Sequence, residues 1–335
     1  MAANKPAIML SLDDGSDLTD KVNPRLIALT LTEKRSEAAD RLELTLHNHD
    51  RAIEPPSVGA LLTLSMGWAS GTDVAVGMVT KGAFKVDEVE RAGPPDIITV
   101  RARSADLASD YKRRRTAIWK DTTLGAILSA IAARNGLTPR IHGDLAGQAV
   151  TVIEQANKSD MAFVRDLGRR YDAVAGPKAG VLIFMPIGAA TTAGGAPLPL
   201  IALTRQSGWA WSFRHAARDE QDGAEADWQD QASGRRQRVT GGGSGNGRGR
   251  RKLKRVYASE AEAQAAIAGD ATKRRRGAFT LDYDLALGDP AIIPNARVSL
   301  TGWDSQIDAL GWLVDEVTHK LDASGLNTAV KLESV

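Results

Sequence analysis

His47 and His49 stand two apart in the run His47-Asn48-His49-Asp50. On a strand such residues share a face, so their imidazoles have the spacing of two metal ligands. No third ligand is fixed by the local pattern, and the plainer expectation is a polar strand end entering a turn. His142, His215 and His319 are isolated in sequence. His319 follows an apolar strand pattern and reads as a hydrogen-bonded structural residue. The acid pairs Asp13-Asp14, Asp87-Glu88 and Asp315-Glu316 fall on turns or strands. Neighbours on a regular strand point to opposite faces, which suits paired acid/base work poorly. There is no Gly-x-Ser-x-Gly nucleophile elbow. Cysteine is absent, which removes disulfides, thiolate metal sites and thiol nucleophiles. The expectation is a chain with no catalytic, cofactor or metal residues, hence not an enzyme.

The second chemical feature is basic. Between Gln231 and Ser259 lie nine Lys or Arg and no acid, while the rest of the chain is net negative and the total is only +2. Arg248, Arg250, Arg251, Lys252, Lys254 and Arg255 could follow a phosphate backbone, with a strong salt dependence. The glycines of this tract do not form a phosphate loop, because the Gly-Lys-Ser/Thr ending is missing. The plainer alternative is a solvated loop, or one that folds against an acidic neighbour.

These residues must be positioned by the surrounding elements, and the clearest pattern there is a repeat. Val86-Asp87-Glu88-Val89 recurs as Val314-Asp315-Glu316-Val317. Upstream, Leu62, Leu64 and Met66 alternate and end at Gly67-Trp68. Ala296, Val298 and Leu300 do the same and end at Gly302-Trp303. Downstream, each copy passes a Gly-containing turn into another alternating run: Ile98, Val100, Ala102 in one, Thr328, Val330, Leu332 in the other. Period-two alternation marks strands with one buried face. Two copies of one β-module are expected, with Trp68 and Trp303 as barrel-core residues or interface anchors.

The expected fold class is mainly β with an α+β insertion: two similar β-barrel or sandwich modules and a small α/β domain. Residues 1–105 form the first module, with strands at 8–12, 26–31, 42–46, 62–66, 75–79, 84–89 and 97–103. Residues 106–190 form the α/β insertion. One helix there is capped at Asp121 or Thr122 and stopped by Gly136; a second starts near Ser159 and buries Phe163, Val164, Leu167 and Tyr171. Residues 191–335 form the second module. It contains a flexible Gly/Arg-rich insertion at about 216–258 and a helix at about 260–276, opened by the Ser259/Glu262 capping box. The length of 335 residues suits two or three domains, and 43% hydrophobic content is that of an ordinary globular chain. No run approaches the roughly 18 apolar residues of a membrane span, and the N-terminus does not read as a signal peptide.

Several stretches resemble the late control protein D family of contractile-tailed phages and phage-tail bacteriocins. They are Ala39-Asp40-Arg41-Leu42-Glu43-Leu44-Thr45-Leu46, the motif around Val86 with Gly93-Pro94-Pro95-Asp96, Thr123-Leu124 leading to Asn135-Gly136-Leu137, and the region from Trp312 to Leu332 with His319, Gly325 and Thr328. The resemblance covers nearly the whole chain through the order and spacing of these stretches; the Gly/Arg-rich tract is its least family-like part. It implies a baseplate hub, similar to the hub part of the valine-glycine-repeat (VgrG) spike proteins of type VI secretion. Such a hub is a homotrimer adapting a hexameric tail tube protein to a trimeric central spike protein, with tape measure and baseplate wedge proteins as neighbours and DNA only in transit. Its expected place is the virion or tail-particle baseplate, assembled in the bacterial host cytoplasm without membrane insertion. Two other classes remain open at this point: a tail-tip cell-wall hydrolase, and a nucleic-acid-binding protein using the Arg/Gly-rich tract.

Overall fold

The computed structural model describes residues 3–35, 39–104, 109–178, 180–215, 223–230, 233–242 and 249–335. In chain order the strands are β1 (Lys5–Leu12), β2 (Leu26–Lys34), β3 (Arg41–His47), β4 (Leu61–Ser70), β5 (Gly77–Ala92) and β6 (Ile97–Ser104). There follow β7 (Arg114–Thr123), β8 (Thr138–Ile141), β9 (Ala149–Ser159), β10 (Ala173–Lys178) and β11 (Val181–Pro186). Then come β12 (Leu200–Thr204), β13 (Gly208–His215), β14 (Ala224–Gln229), β15 (Arg236–Gly241) and β16 (Arg251–Tyr257). The chain closes with β17 (Phe279–Leu285), β18 (Arg297–Thr301), β19 (Trp312–Asp322) and β20 (Gly325–Ser334). The helices are α1 (Thr19–Val22), α2 (Leu124–Arg134), α3 (Gly143–Ala146), α4 (Asp160–Tyr171), α5 (Glu260–Arg275) and α6 (Ser305–Ala309). Two compact units result: Met1–Asp106 with Pro199–Phe213 and Leu281–Leu332, and Leu107–Leu198 with Arg214–Thr280 and Glu333–Val335.

The first unit holds one 12-stranded sheet, ordered β1-β4-β5-β6-β3-β2-β19-β20-β17-β13, with β18 on β19 and β12 on β18. The order β5-β6-β3-β2 is repeated as β19-β20-β17-β13, so the two β-modules foreseen from the repeat share a strand order. Their outer strands differ: β1 runs antiparallel to β4, whereas β12 runs parallel to β18. Alternation sets the buried face. Leu29 and Leu31, Leu42, Leu44 and Leu46, and Ile98, Val100 and Ala102 all point into the first core. Each of the leucine, isoleucine and valine side chains, fully buried, contributes about 1.5–3 kcal/mol by leaving water.

The repeated motif is where the two modules match most closely, and in the first module it is a bulge. The β5–β6 register shifts between Val86 and Glu88. Val86 is buried and Val89 packs partly buried against the same core, while Asp87 and Glu88 both point out. In β19, Val314 and Val317 are both fully buried and Asp315 is exposed. The extra residue in the β5–β6 ladder turns Asp87 and Glu88 to one side, which corrects the expectation that these two face opposite ways. Gly59 donates its backbone N–H to Val86 at 2.8 Å and Val86 donates to Ala60 at 2.9 Å; Asn295 donates to Val314 at 2.8 Å and Val314 to Ala296 at 3.0 Å. Gly59 (φ 95°) and Asn295 (φ 68°) are both left-handed, a conformation for which Gly and Asn are the least strained residues. The two strands expected at 75–79 and 84–89 are the single strand β5, in which Gly82 (φ 99°) stands beside the β4–β5 register shift that skips Lys81.

In the second unit, the antiparallel pair β7–β9 and the sheet β10-β11-β8 pack with α2 and α4 around Leu124, Ile127, Leu128, Ile131, Val164 and Leu167. The cap of α2 is Thr123, whose Oγ1 accepts from Ala126, one residue later than the expected Asp121 or Thr122. Ser159 caps α4 and Ser259 caps α5 as expected, the second with its Oγ accepting the Glu262 N–H. Tyr171 is only half-buried.

The expectation of a flexible insertion over about 216–258 is overturned for its described residues. β14, β15 and β16 form a sheet covered by α5, with Ala224, Ala226, Ala263, Ala266 and Ile267 between them. Its inward positions are largely alanine, so the hydropathy alternation is too weak to stand out beside the charges. Residues 214–280 fall in the unit of 107–198 and not with the closing β-strands, as the expected 191–335 module would have them. Residues 216–222, 231–232 and 243–248 lie outside the described ones.

Candidate assembly interface

The two modules meet where β2 pairs antiparallel with β19, residues 28–34 against 316–322. Both are strands whose inward face is apolar, yet three ionisable groups are buried beside this junction. Lys81 Nζ donates to Glu33 Oε2 at 2.7 Å and to His319 Nε2 at 3.0 Å. His319 Nδ1 lies 2.9 Å from Thr328 Oγ1. All three side chains are at most 3% exposed. Burial pushes the His319 pKa down, and the Lys81 charge adds to this against the opposing pull of Glu33. An imidazole accepting from Lys81 at Nε2 keeps its proton on Nδ1 and donates it to Thr328. The cluster is a satisfied polar lock at the seam. Glu33 continues the inward series Leu29, Leu31 and was legible as a charge on a core position, whereas no pattern in the sequence marks Lys81.

The opposite face of the same strands is a network of ion pairs. Glu316 binds Lys34 at 2.6 Å and Lys331 at 2.8 Å, and Asp315 binds Arg35 at 2.8 Å. Partial burial works to raise the Glu316 pKa, but the two lysines hold it below the usual carboxylate range. In the first module the acids of the motif are held likewise, Asp87 by Arg103 at 2.9 Å and Glu88 by Arg101 at 3.0 Å. Arg101 also serves Glu43 and Glu90, three carboxylates to one guanidinium. These acids form ion pairs across strands.

Several edges of this sheet are open among the described residues, those of β1 and β12 included, and two of them lie at the ends of the matching four-strand sets. β4 covers β5 only as far as Lys85, and the Gly59–Ala60 pair reaches Val86; beyond it, among the described residues, positions 88–92 pair on the β6 side alone. At the end of the second set, among the described residues, β13 pairs only with β17. This second edge carries Trp209, 75% exposed, and Trp211, 38% exposed.

The residues singled out from sequence lie as follows. His47 and His49 are both exposed at the end of β3, and Asp50 of the same turn is ion-paired with Arg25. No group of three His, Cys, Asp or Glu among the described residues could hold a metal ion. Of the basic tract, Arg251 and Lys252 pair with Asp270 at 3.7 Å and Asp227 at 2.9 Å, within their own sheet and helix. Arg250, Lys254 and Arg255 are exposed, and Arg248 lies outside the described residues. Trp68 is 4% exposed within β4. Trp303 follows β18 in a turn, half-buried, edge-on to Trp211 at 6.4 Å and to Tyr283 at 5.2 Å. No described helix is long and apolar enough to cross a membrane.

A doubled β-module with a polar lock at its internal seam and an open edge at the free end of each strand set has the build of an assembly component. The profile of the phage tail baseplate hub family (GPD) matches residues 37–325. A probable baseplate hub protein of Escherichia phage 186 is 35% identical, over 98% of this chain and 92% of the relative. The 43 kDa tail protein of prophage MuSo2 from Shewanella oneidensis has a similar fold, with a TM-score of 0.66 at 16% identity over 97% of each chain. A type VI secretion component of E. coli matches with a TM-score of 0.54 at 12% identity, over 92% of this chain and 73% of that one. The chain belongs to the phage tail baseplate hub family, and it is a structural protein of the baseplate. The hydrolase and nucleic-acid alternatives find no support in these relatives.

Proposed function

We propose that this hub works as a homotrimer that adapts a hexameric tail tube to a trimeric central spike, with a mechanical and not a catalytic role. A ring of six tube subunits presents six nearly equivalent edges. Three chains meet them all only if each offers two similar surfaces, and the two β-modules are such a pair. The observation that carries this reading is the β2–β19 junction. It joins the last strand of one four-strand set to the first strand of the other, head to tail. Head-to-tail contacts generate closed rings when the rotation closes, and a closed ring leaves no strand edge exposed. On this reading the tube, the spike, and the tape measure and wedge proteins are the neighbours. Assembly takes place in the host cytoplasm, for an infectious phage or a bacteriocin alike, and any DNA touches the protein only in transit.

Light scattering on the purified chain tests the stoichiometry. The expected mass is three times the 35.7 kDa of one chain, with end-on particle images showing sixfold-like features. A stable monomer at assembly concentrations would sink the proposal.

A further inference from the structure

The junction inside the chain makes a specific demand on the junction between chains. The shared motif and its paired hydrogen bonds equate Val86 with Val314, so Glu88, Glu90 and Ala92 take the places of Glu316, Thr318 and Lys320. On the other side, Leu29 and Leu31 of β2 lie opposite Leu44 and Leu42 of β3. In the second module Leu281, Tyr283 and Leu285 are buried as Leu42, Leu44 and Leu46 are. Trp211 and Phe213 of β13 turn to the same inward side, edge-on to Trp303 and Trp312. They take the places of Leu29 and Leu31, which puts Ser212 at Thr30 and Arg214 at Thr32. Within the chain Thr30 faces Lys320 and Thr32 faces Thr318.

We infer that the open edge of β5 at 88–92 receives β13 of a neighbouring copy as an antiparallel strand, with Ser212 opposite Ala92 and Arg214 opposite Glu90. This rests on the three-copy reading and adds its register. Strand addition of this kind draws affinity from main-chain hydrogen bonds and specificity from alternate side chains. The side chains are complementary. Among the described residues Glu43, Glu88 and Glu90 share the cation Arg101, and Arg214, exposed on β13, arrives as another. Opposite charges directly across an antiparallel pair stabilise it, and a one-residue slip would exchange the faces of every side chain. The exposed Trp209 lies on the strand that becomes covered.

The chain has no cysteine, so engineered thiols report without background. Cross-strand neighbours lie within the reach of a disulfide, at Cα separations of about 4.4–6.8 Å. The test oxidises Ser212→Cys/Ala92→Cys, a second in-register pair Arg214→Cys/Glu90→Cys, and the shifted pair Ala210→Cys/Ala92→Cys. Folding of each is checked by circular dichroism, and the unmodified chain is weighed in parallel. The expected result is a non-reducing ladder that ends at a covalent trimer for the in-register pairs, absent for the shifted pair. A trimeric mass with no in-register cross-link, or with the shifted pair dominating, overturns the register and leaves the three-copy reading standing. A monomeric mass for the unmodified chain overturns both.

Discussion

The indole N–H of Trp68 donates to the backbone carbonyl of Gly288 at 2.8 Å, in a buried contact between residues 220 positions apart. Trp68 belongs to the first β-module and Gly288 to the loop before β18 in the second, so one side chain fastens the two repeats at a point away from the β2–β19 ladder. Gly288 has no room for a side chain there, since an added Cβ would stand 2.8 Å from Leu326. Replacing Trp68 by Phe keeps an aromatic ring in the core and leaves the Gly288 carbonyl without its donor. The expected loss is about 1–3 kcal/mol of unfolding free energy, read as a lower urea midpoint with an unchanged slope. A midpoint equal to that of the parent would show that water replaces the indole at no cost.

The Glu33–Lys81 pair predicts strong non-additivity. Lys81→Met strands a carboxylate in the interior, and Glu33→Leu strands an ammonium; breaking a buried pair from one side costs about 3–5 kcal/mol. The double variant Glu33→Leu/Lys81→Met strands neither, and is expected to be more stable than either single one. A double-mutant cycle by denaturant unfolding measures this. Additive losses would mean that the pair is already solvated in the folded protein.

His319 makes stability depend on pH in a known direction. Its folded pKa lies below the ordinary value of 6.5, so between the two values the unfolded chain binds the additional proton. Stability is therefore fully present above about 6.5, declines as pH falls below it, and levels off once the folded-state value is passed. His319→Gln retains an acceptor for Lys81 and a donor for Thr328 without titrating. The expected outcome is a shallower fall in the thermal midpoint between neutral and mildly acidic buffer than in the parent. Identical slopes would remove His319 as the cause.

Much of this architecture was legible as period-two alternation. Leu42, Leu44 and Leu46, or Ile98, Val100 and Ala102, announce a buried strand face without help from the rest of the chain. The Val-Asp-Glu-Val repeat correctly announced two related modules. What it hid was the bulge, because one inserted residue is invisible to a pattern counted in twos. The sheet of β14, β15 and β16 escaped for a different reason. Alanine buries little apolar area, and ion pairs such as Lys252–Asp227 and Arg251–Asp270 form between residues far apart in sequence. A basic run therefore read as free charge when part of it was spoken for. The seam cluster was half visible: Glu33 sits on an inward position, but nothing in the sequence names Lys81 and His319 as its neighbours.

The motif at Val86 and again at Val314 divides one strand between two tasks. Ahead of it the backbone closes its own module through Gly59 and Ala60, or Asn295 and Ala296; past it, in β19, the same backbone is lent to β2. Each half of the molecule thus carries a tongue and a groove. A hypothetical polypeptide of half this length, with a single such unit, would need six copies to complete the circle that three of these chains are proposed to draw. Fusion in tandem would then have halved the number of parts while preserving the joint.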